Sequence, residues 1–262
     1  MDNKIFQLKQ VYYSYLGKIP ALCGVDLEIE KGSKVAVIGA NGTGKSTVLM
    51  MLDSLIYPDR GSIKAFGKEL KEEVMNDEGF SAVFRRKVGF VFQNPDVQLF
   101  CPTVGEDIAF GPLQFGMEHE EIRDRTDKLS KELGISGLLD RTPQQLSIGE
   151  KRKVTIASVL IMDPDVLLLD EPTAGLDPRT TRHIIDMLLK KNEEGKTIIT
   201  STHDMHIVNE IAGTVHVFSS EKKIIRSAKP DDILQDREFL NSHNLIHIHR
   251  HAHEGVEHTH PH

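Results

Sequence analysis

Residues 35–47 constrain the chain most. Val35-Ala36-Val37-Ile38 is a continuous apolar run, as in a parallel strand buried on both faces. It leads directly into Gly39-Ala40-Asn41-Gly42-Thr43-Gly44-Lys45-Ser46-Thr47. Val48, Leu49, Leu52 and Leu55 then recur at helical spacing from Lys45 to Leu55. Strand, glycine loop and helix in that order form a phosphate loop, GxxxxGK[ST]. Its glycines permit positive φ and close backbone approach, so successive amides converge on an anion at a helix N-terminus. Gly39, Ala40, Asn41, Gly42, Thr43, Gly44, Lys45, Ser46 and Thr47 are therefore candidate ATP-binding residues. Lys45 can bridge terminal phosphates, and the Ser46 hydroxyl can hold Mg²⁺.

A second buried strand, Val166–Leu169, ends in Asp170-Glu171. Open α/β sheets bind ligands beyond the carboxyl ends of their strands. There Asp170 can hold Mg²⁺ through its water shell, and Glu171 can act as general base on an attacking water. From Val166 onward strand and helix alternate: strands 166–169, 197–200 and 214–218, helices 178–191 and 205–212. That is βαβ order, which implies parallel pairing. Residues 4–15 and 25–30 alternate apolar with polar and suggest half-exposed antiparallel strands. Val88–Phe92 is a further buried strand, and 68–87 reads as a charged surface excursion. Residues 103–162 are mostly helical, with a capping box at Thr103 and Glu106, an interruption at Gly111-Pro112, and a helix over Glu118–Leu133. The fold class is α/β: a mainly parallel core, an N-terminal antiparallel β subdomain, and an inserted α-helical subdomain at about 94–162.

Composition narrows the classes of function. The 262 residues suit one large domain, here 1–242, followed by a tail at 243–262. No run of about 18 apolar residues is long enough to span a bilayer, and Met1-Asp2-Asn3-Lys4 lacks an export signal's apolar core. Cys23 and Cys101 form no CxxC pair and read as reduced thiols. A net charge of −7 and the absence of tryptophan argue against a nucleic-acid partner.

Together these motifs resemble the ATP-binding-cassette (ABC) ATPases, in family order, over roughly residues 4–225. The resemblance implies a P-loop ABC fold and assigns further residues. Gln93 is similar to the Q-loop glutamine, which contacts Mg²⁺ and a transmembrane partner. Leu146-Ser147-Ile148-Gly149-Glu150 resembles the signature and Ala174-Gly175-Leu176-Asp177 the D-loop. His203 matches the switch histidine that senses the γ-phosphate, and Tyr15 the aromatic that stacks on adenine. Physically, Ser147, Gly149 and Glu150 open a helix, whose amides and hydroxyl can bind an anion. In the family that anion is the γ-phosphate held by the opposite subunit, so a homodimer or a paralogue heterodimer is implied, with Asp177 also at that trans site. Family members usually carry Gly-Gly where this chain has Ile148-Gly149, which bears on hydrolysis rate.

Gln93-Asn94-Pro95-Asp96-Val97-Gln98-Leu99-Phe100 and the segment 103–112 resemble the energy-coupling factor (ECF) importers of prokaryotes, which bring in vitamins or transition-metal ions. That branch implies a peripheral ATPase at the cytoplasmic face of the membrane, docked on an integral membrane coupling subunit beside a substrate-binding membrane subunit. The tail bears on the cargo. It holds His243, His247, His249, His251, His253, His258, His260 and His262. Alternating imidazoles in an extended chain suit Ni²⁺, Co²⁺, Cu²⁺ and Zn²⁺. His247, His249, His251, His253, His258 and His260 are thus candidate ligands of Ni²⁺ or Co²⁺, and import of cobalt or nickel is the expected function. A solvated, disordered end without a role and a purification tag remain alternatives for the tail. A vitamin importer, a soluble ABC ATPase, and a metal buffer whose cassette only binds nucleotide remain alternatives for the chain.

Overall fold

The computed structural model describes residues 3–245, 248–253 and 256–261, the last two segments by their backbone alone. The chain opens with two long strands, β1 (Lys4–Tyr15) and β2 (Ile19–Glu30), paired antiparallel. Val25-Asp26-Leu27-Glu28-Ile29-Glu30 alternates strictly between buried and exposed, which sets the core face of β2. Pairing with β1 extends β2 back to Ile19, beyond the alternating stretch. β3 (Lys34–Ile38) leads into α1 (Lys45–Leu52), and β4 (Arg60–Ala65) and β5 (Lys68–Glu69) complete a four-stranded sheet of order β2-β1-β4-β5.

Residues 68–87 are more ordered than a surface excursion. After β5 they form α2 (Glu72–Met75) and α3 (Glu78–Lys87). Phe80 and Phe84, one turn apart, face the N-terminal core, and the Phe84 ring meets Phe66 edge-on at 6.3 Å. A two-residue stripe in a highly charged helix is too narrow for periodicity to reveal. α3 also supplies Arg85, whose guanidinium is 3.3 Å from the buried Asp53 carboxylate at the end of α1. Burial pushes Asp53 up to about 7, although Arg85 opposes the shift.

The six-stranded core sheet has the order β10-β9-β3-β8-β7-β6, from β6 (Val88–Val91), β7 (Val166–Asp170), β8 (Thr197–Thr202), β9 (Thr214–Phe218) and β10 (Ile224–Ala228). All but β10 run parallel. Ile38 pairs with Thr202 and Asp170 with Ser201, so β3, β7 and β8 end together along one edge. That edge is where a parallel sheet presents its ligand site.

Between β6 and β7 lie α4 (Val104–Gln114), α5 (His119–Leu133) and α6 (Ile148–Leu160). Val104, Ile108, Ile122, Leu129, Leu133, Val154 and Ala157 form their common core, continuous with Leu167 and Leu169 of β7. The Thr103–Glu106 capping box is present at the start of α4. Gly111-Pro112 does not interrupt this helix, which continues to Gln114 with Pro112 buried. Pro112 falls in the last turn, so the missing amide costs the helix little of its length. α7 (Pro178–Glu193) and α8 (Met205–Ile211) complete the crossovers, and α9 (Pro230–Leu234) and α10 (Arg237–Ser242) pack on β9 and α8 through Ile233 and Leu240. In the segment where the sequence suggests disorder, β11 (Ile248–His253) pairs antiparallel with β12 (Val256–Pro261), placing His249 opposite His260 and His251 opposite His258. His247 lies outside the described residues.

His216, in β9, is buried with Nδ1 2.7 Å from the Ser227 hydroxyl. Burial pushes its imidazole down from 6.5 to about 4. Between those values the unfolded chain binds the proton and the folded chain does not, so this stabilisation is present above about pH 6.5 and is lost as pH falls towards 4. A shift of that size corresponds to about 3 kcal/mol. Denaturant midpoints measured from pH 7 to 4 should therefore fall, and His216→Gln should flatten that part of the slope.

Candidate nucleotide site

The loop before α1 is held open by its own backbone. Gly44 caps α1 in a left-handed conformation, φ 110°, and no side chain caps the helix. A Cβ there would sit 2.5 Å from the Ala21 carbonyl oxygen. The first amides of α1 are therefore left for a ligand. Thr43 Oγ1 donates to the Ala40 carbonyl (2.8 Å), and Lys45 Nζ donates to the Gly39 (2.8 Å) and Ala40 (3.2 Å) carbonyls. The buried ammonium also lies 4.0 Å from Glu171 Oε1. Burial pulls the Lys45 pKa down, while Glu171 and Asp170 oppose the shift.

The acid pair is organised by β8. Ser201 Oγ donates to Asp170 Oδ1 (2.5 Å), and the Glu171 amide donates to Ser201 O (3.2 Å) and Oγ (3.1 Å). Glu171 has φ 47°, a left-handed conformation unusual for a side chain of this size and typical of functional positions. Its Oε1 is 2.9 Å from His203 Nδ1, so one oxygen of a carboxylate only 5% exposed faces both Lys45 and His203. The sequence points to Asp170, Glu171 and His203 but not to Ser201, which bridges the two acids. Its place in β8, two residues before His203, was the available signal.

Tyr15, Asn41, Gly42, Gly44, Lys45, Ser46, Thr47, Gln93 and Glu171 line one open recess of about 520 Å³, with Ile19, Pro20 and Ala21 on its apolar side. The Tyr15 hydroxyl lies 3.1 Å from Thr47 Oγ1. Lys222 also lines this recess and donates to the Gly42 carbonyl, across a separation that no sequence motif signals. Ser46, Gln93 and Asp170 offer oxygen donors, the set Mg²⁺ prefers, and Asp170 is a buried carboxylate whose Oδ1 accepts from the Ser201 hydroxyl. These residues fit that ion. Glu171 also borders a larger open recess of about 660 Å³, which His203, rather than lining the first, shares with Arg237, Leu240 and Leu245.

Ser147, Gly149, Glu150 and Asp177 lie elsewhere. Ser147 caps α6 in a capping box: its amide and hydroxyl donate to Glu150 Oε2 (both 2.8 Å), and its Oγ accepts from the Glu150 amide. These bonds hold the Glu150 carboxyl below its usual range. Asp177 caps α7, accepting from the Arg179 and Thr180 amides (3.0 Å each) and the Thr180 hydroxyl (2.6 Å), which likewise lowers its pKa. All four line a second recess of about 380 Å³ that shares no residue with the first. One chain thus carries two recesses with no lining residue in common.

Residues 22–174, more than half of the chain, match the protein family described as ABC transporter. The chain belongs to the ABC transporter ATPases. A nickel import ATP-binding protein, NikO, of Rhodobacter capsulatus is 49% identical to it, the alignment covering 83% of this chain and 86% of the relative. An energy-coupling factor transporter ATP-binding protein, EcfA, of Methanothermobacter thermautotrophicus is 41% identical, covering 92% and 76%. The solved structure of CbiO1 from Clostridium perfringens, described as part of the ABC transporter complex CbiONQ, superposes with a TM-score of 0.78 at 36% identity, covering 93% of this chain and 96% of that one. This ABC ATPase is therefore a transporter subunit that hydrolyses ATP, and its resemblance to the ECF branch extends across nearly the whole chain. Among the described residues no helix is long and apolar enough to cross a membrane.

If Glu171 is the base, Glu171→Gln will keep the shape of the site and remove the proton acceptor. Steady-state turnover of Mg-ATP should fall by roughly 10²–10⁴-fold. ATP affinity, measured with a fluorescent analogue, should stay near that of the native chain; equal turnover in both proteins would remove Glu171 from the chemistry.

Proposed function

We propose that this ABC ATPase powers uptake of cobalt or nickel ions through an ECF-type importer at the cytoplasmic face of a prokaryotic membrane. The observation that carries the motor part of this reading is the separation of the two recesses. The phosphate loop, Asp170, Glu171, Gln93 and His203 form one half-site, and Ser147, Gly149, Glu150 and Asp177 another. Two chains placed head to tail about a two-fold axis would complete two sites with the same pair of surfaces. A homodimer satisfies that geometry, as does a heterodimer with a paralogue.

In each site the uncapped α1 amides and Lys45 bind the triphosphate, and Tyr15 with Ile19 and Pro20 offers an apolar seat for the base. Ser46, Gln93 and Asp170 would hold Mg²⁺, which would supply positive charge to offset that of the phosphates. Glu171 takes the proton of the attacking water, and His203 reports the γ-phosphate while holding the Glu171 carboxylate. Ser147 and Gly149 of the second subunit close on the γ-phosphate, so ATP bridges the dimer and its hydrolysis releases it.

Val97, Phe100, Phe110 and Leu113 are exposed beside the Gln93 segment, with the rings of Phe100 and Phe110 edge-on at 4.9 Å. An apolar surface of this kind suits a membrane coupling subunit. Asp107 shapes it, its Oδ1 accepting from the Phe100 and Cys101 amides at 3.0 Å. The nickel import relative and the histidine-rich C-terminal segment both favour a divalent transition metal over a vitamin as cargo. In that segment the histidines at 249, 251, 253, 258 and 260 occupy the paired strands β11 and β12, a placement that suits storage or buffering of imported Ni²⁺ or Co²⁺.

The test is uptake of radioactive nickel and cobalt in cells lacking other importers, comparing the native chain, Lys45→Ala, and a chain ending at Leu245. Lys45→Ala should abolish uptake of one of the two metals. Truncation should leave initial uptake intact while lowering the metal retained in the cytoplasm. Normal entry of both metals with well-expressed Lys45→Ala would overturn the metal reading and make a vitamin the next cargo to assay.

A further inference from the structure

Arg152 is a large cation sealed inside the helical subdomain, 1% exposed in the first turns of α6. Its Nη1 donates to the Phe92 carbonyl (2.6 Å) and its Nη2 to the Gln93 carbonyl (2.5 Å), while Nε has no hydrogen-bond partner among the described residues. Burial lowers its pKa, and Asp170 and Glu171 oppose that shift. Burying a guanidinium is expensive, and an apolar side chain of similar volume would pack the helix at lower cost. What the guanidinium adds is a rigid fork that grips two consecutive carbonyls at once. A second tie, exposed and weaker, joins the same elements: Lys151 Nζ lies 2.6 Å from Asp96 Oδ1.

We propose that Arg152 is a positioning residue that fixes Gln93 in the phosphate recess from the helix that begins at Ser147. α6 then bears Ser147 at its cap and grips the Gln93 backbone one turn later. A displacement of Gln93 towards the phosphates carries the Ser147 half-site with it, because the two are joined through one buried fork rather than through a flexible loop. The clamp itself needs only one chain; its use in linking two sites rests on the paired-site reading above.

The experiment is a double-mutant cycle on the full-length protein, with Arg152→Met, Arg152→Lys, Gln93→Ala and Gln93→Ala/Arg152→Met. ATP affinity, kcat, the Hill coefficient for ATP and Tm are read for each. Arg152→Met should keep ATP affinity within about threefold and lower kcat by roughly a hundredfold, the scale of a misplacement of about 1 Å at a reacting centre. Arg152→Lys should rescue Tm but not kcat, since one ammonium cannot hold both carbonyls in the planar arrangement of the fork. In the Gln93→Ala background, adding Arg152→Met should cost less than about threefold further in kcat, because the residue it positions is already gone. Full additivity of the two kcat losses would overturn the proposal, as would recovery of native kcat by Arg152→Lys or a native kcat in Arg152→Met. The paired-site reading is judged separately: a Hill coefficient near one in the native chain would count against it and leave the outcome of the cycle for Arg152 unchanged.

Discussion

One buried oxygen, Glu171 Oε1, joins the phosphate loop to the ends of the central strands. It lies 4.0 Å from the Lys45 ammonium and 2.9 Å from His203 Nδ1, in surroundings where charge is weakly screened. Such a carboxylate persists when its buried neighbours are held in place. Lys45 is tethered to the loop carbonyls of Gly39 and Ala40. Ser201 ties the Glu171 amide to Asp170, and the positive φ at Glu171 turns the chain sharply at the end of β7. The parallel register underlies this order. Pairing Ile38 with Thr202 and Asp170 with Ser201 brings the ends of three strands, far apart in sequence, to one edge.

The second half-site is built by a different device. Ser147 and Asp177 are helix caps, each folded onto the backbone of its own first turn. Each cap takes up amides of its own helix start, and the two starts border one shared recess. The Ser147 hydroxyl already bonds Glu150, so taking up a phosphate oxygen requires it to exchange partners. A half-site that is satisfied alone and must trade bonds on closure suits a cycle in which two subunits meet and part.

How much was legible in the sequence follows from the range of the interactions. The phosphate loop and the position of the acid pair are written locally, in a run of glycines and in an apolar strand that ends in two acids, whereas Ser147 and Asp177 were visible through the family resemblance. The departure at Ile148 is mild. Ile148 is the first residue of α6, its side chain is half exposed, and helical backbone accommodates a β-branched residue there. What stayed hidden depends on tertiary packing. α3 is held by Phe80 and Phe84 against a sheet formed elsewhere, Pro112 is tolerated because it falls in a terminal turn, and Ser201, Lys222 and Arg152 act on residues 30 to 180 positions away. No periodicity reports such partners.

The same division explains why cargo is harder to read than chemistry. ATP binding follows from groups whose geometry the fold sets, whereas the proposed ion cargo would not touch the nucleotide site, and its path would lie in membrane partners. The apolar surface proposed to meet those partners, Val97, Phe100, Phe110 and Leu113, is itself uncharged and would not select a metal. Selection therefore has to reside outside the cassette. The histidines of the C-terminal segment do discriminate chemically among metals, but their affinity order favours Cu²⁺ over Ni²⁺ and Co²⁺. On the proposed function, a segment that would prefer the wrong ion would make a poor filter but a serviceable store, since it would meet only what the membrane subunits had already admitted.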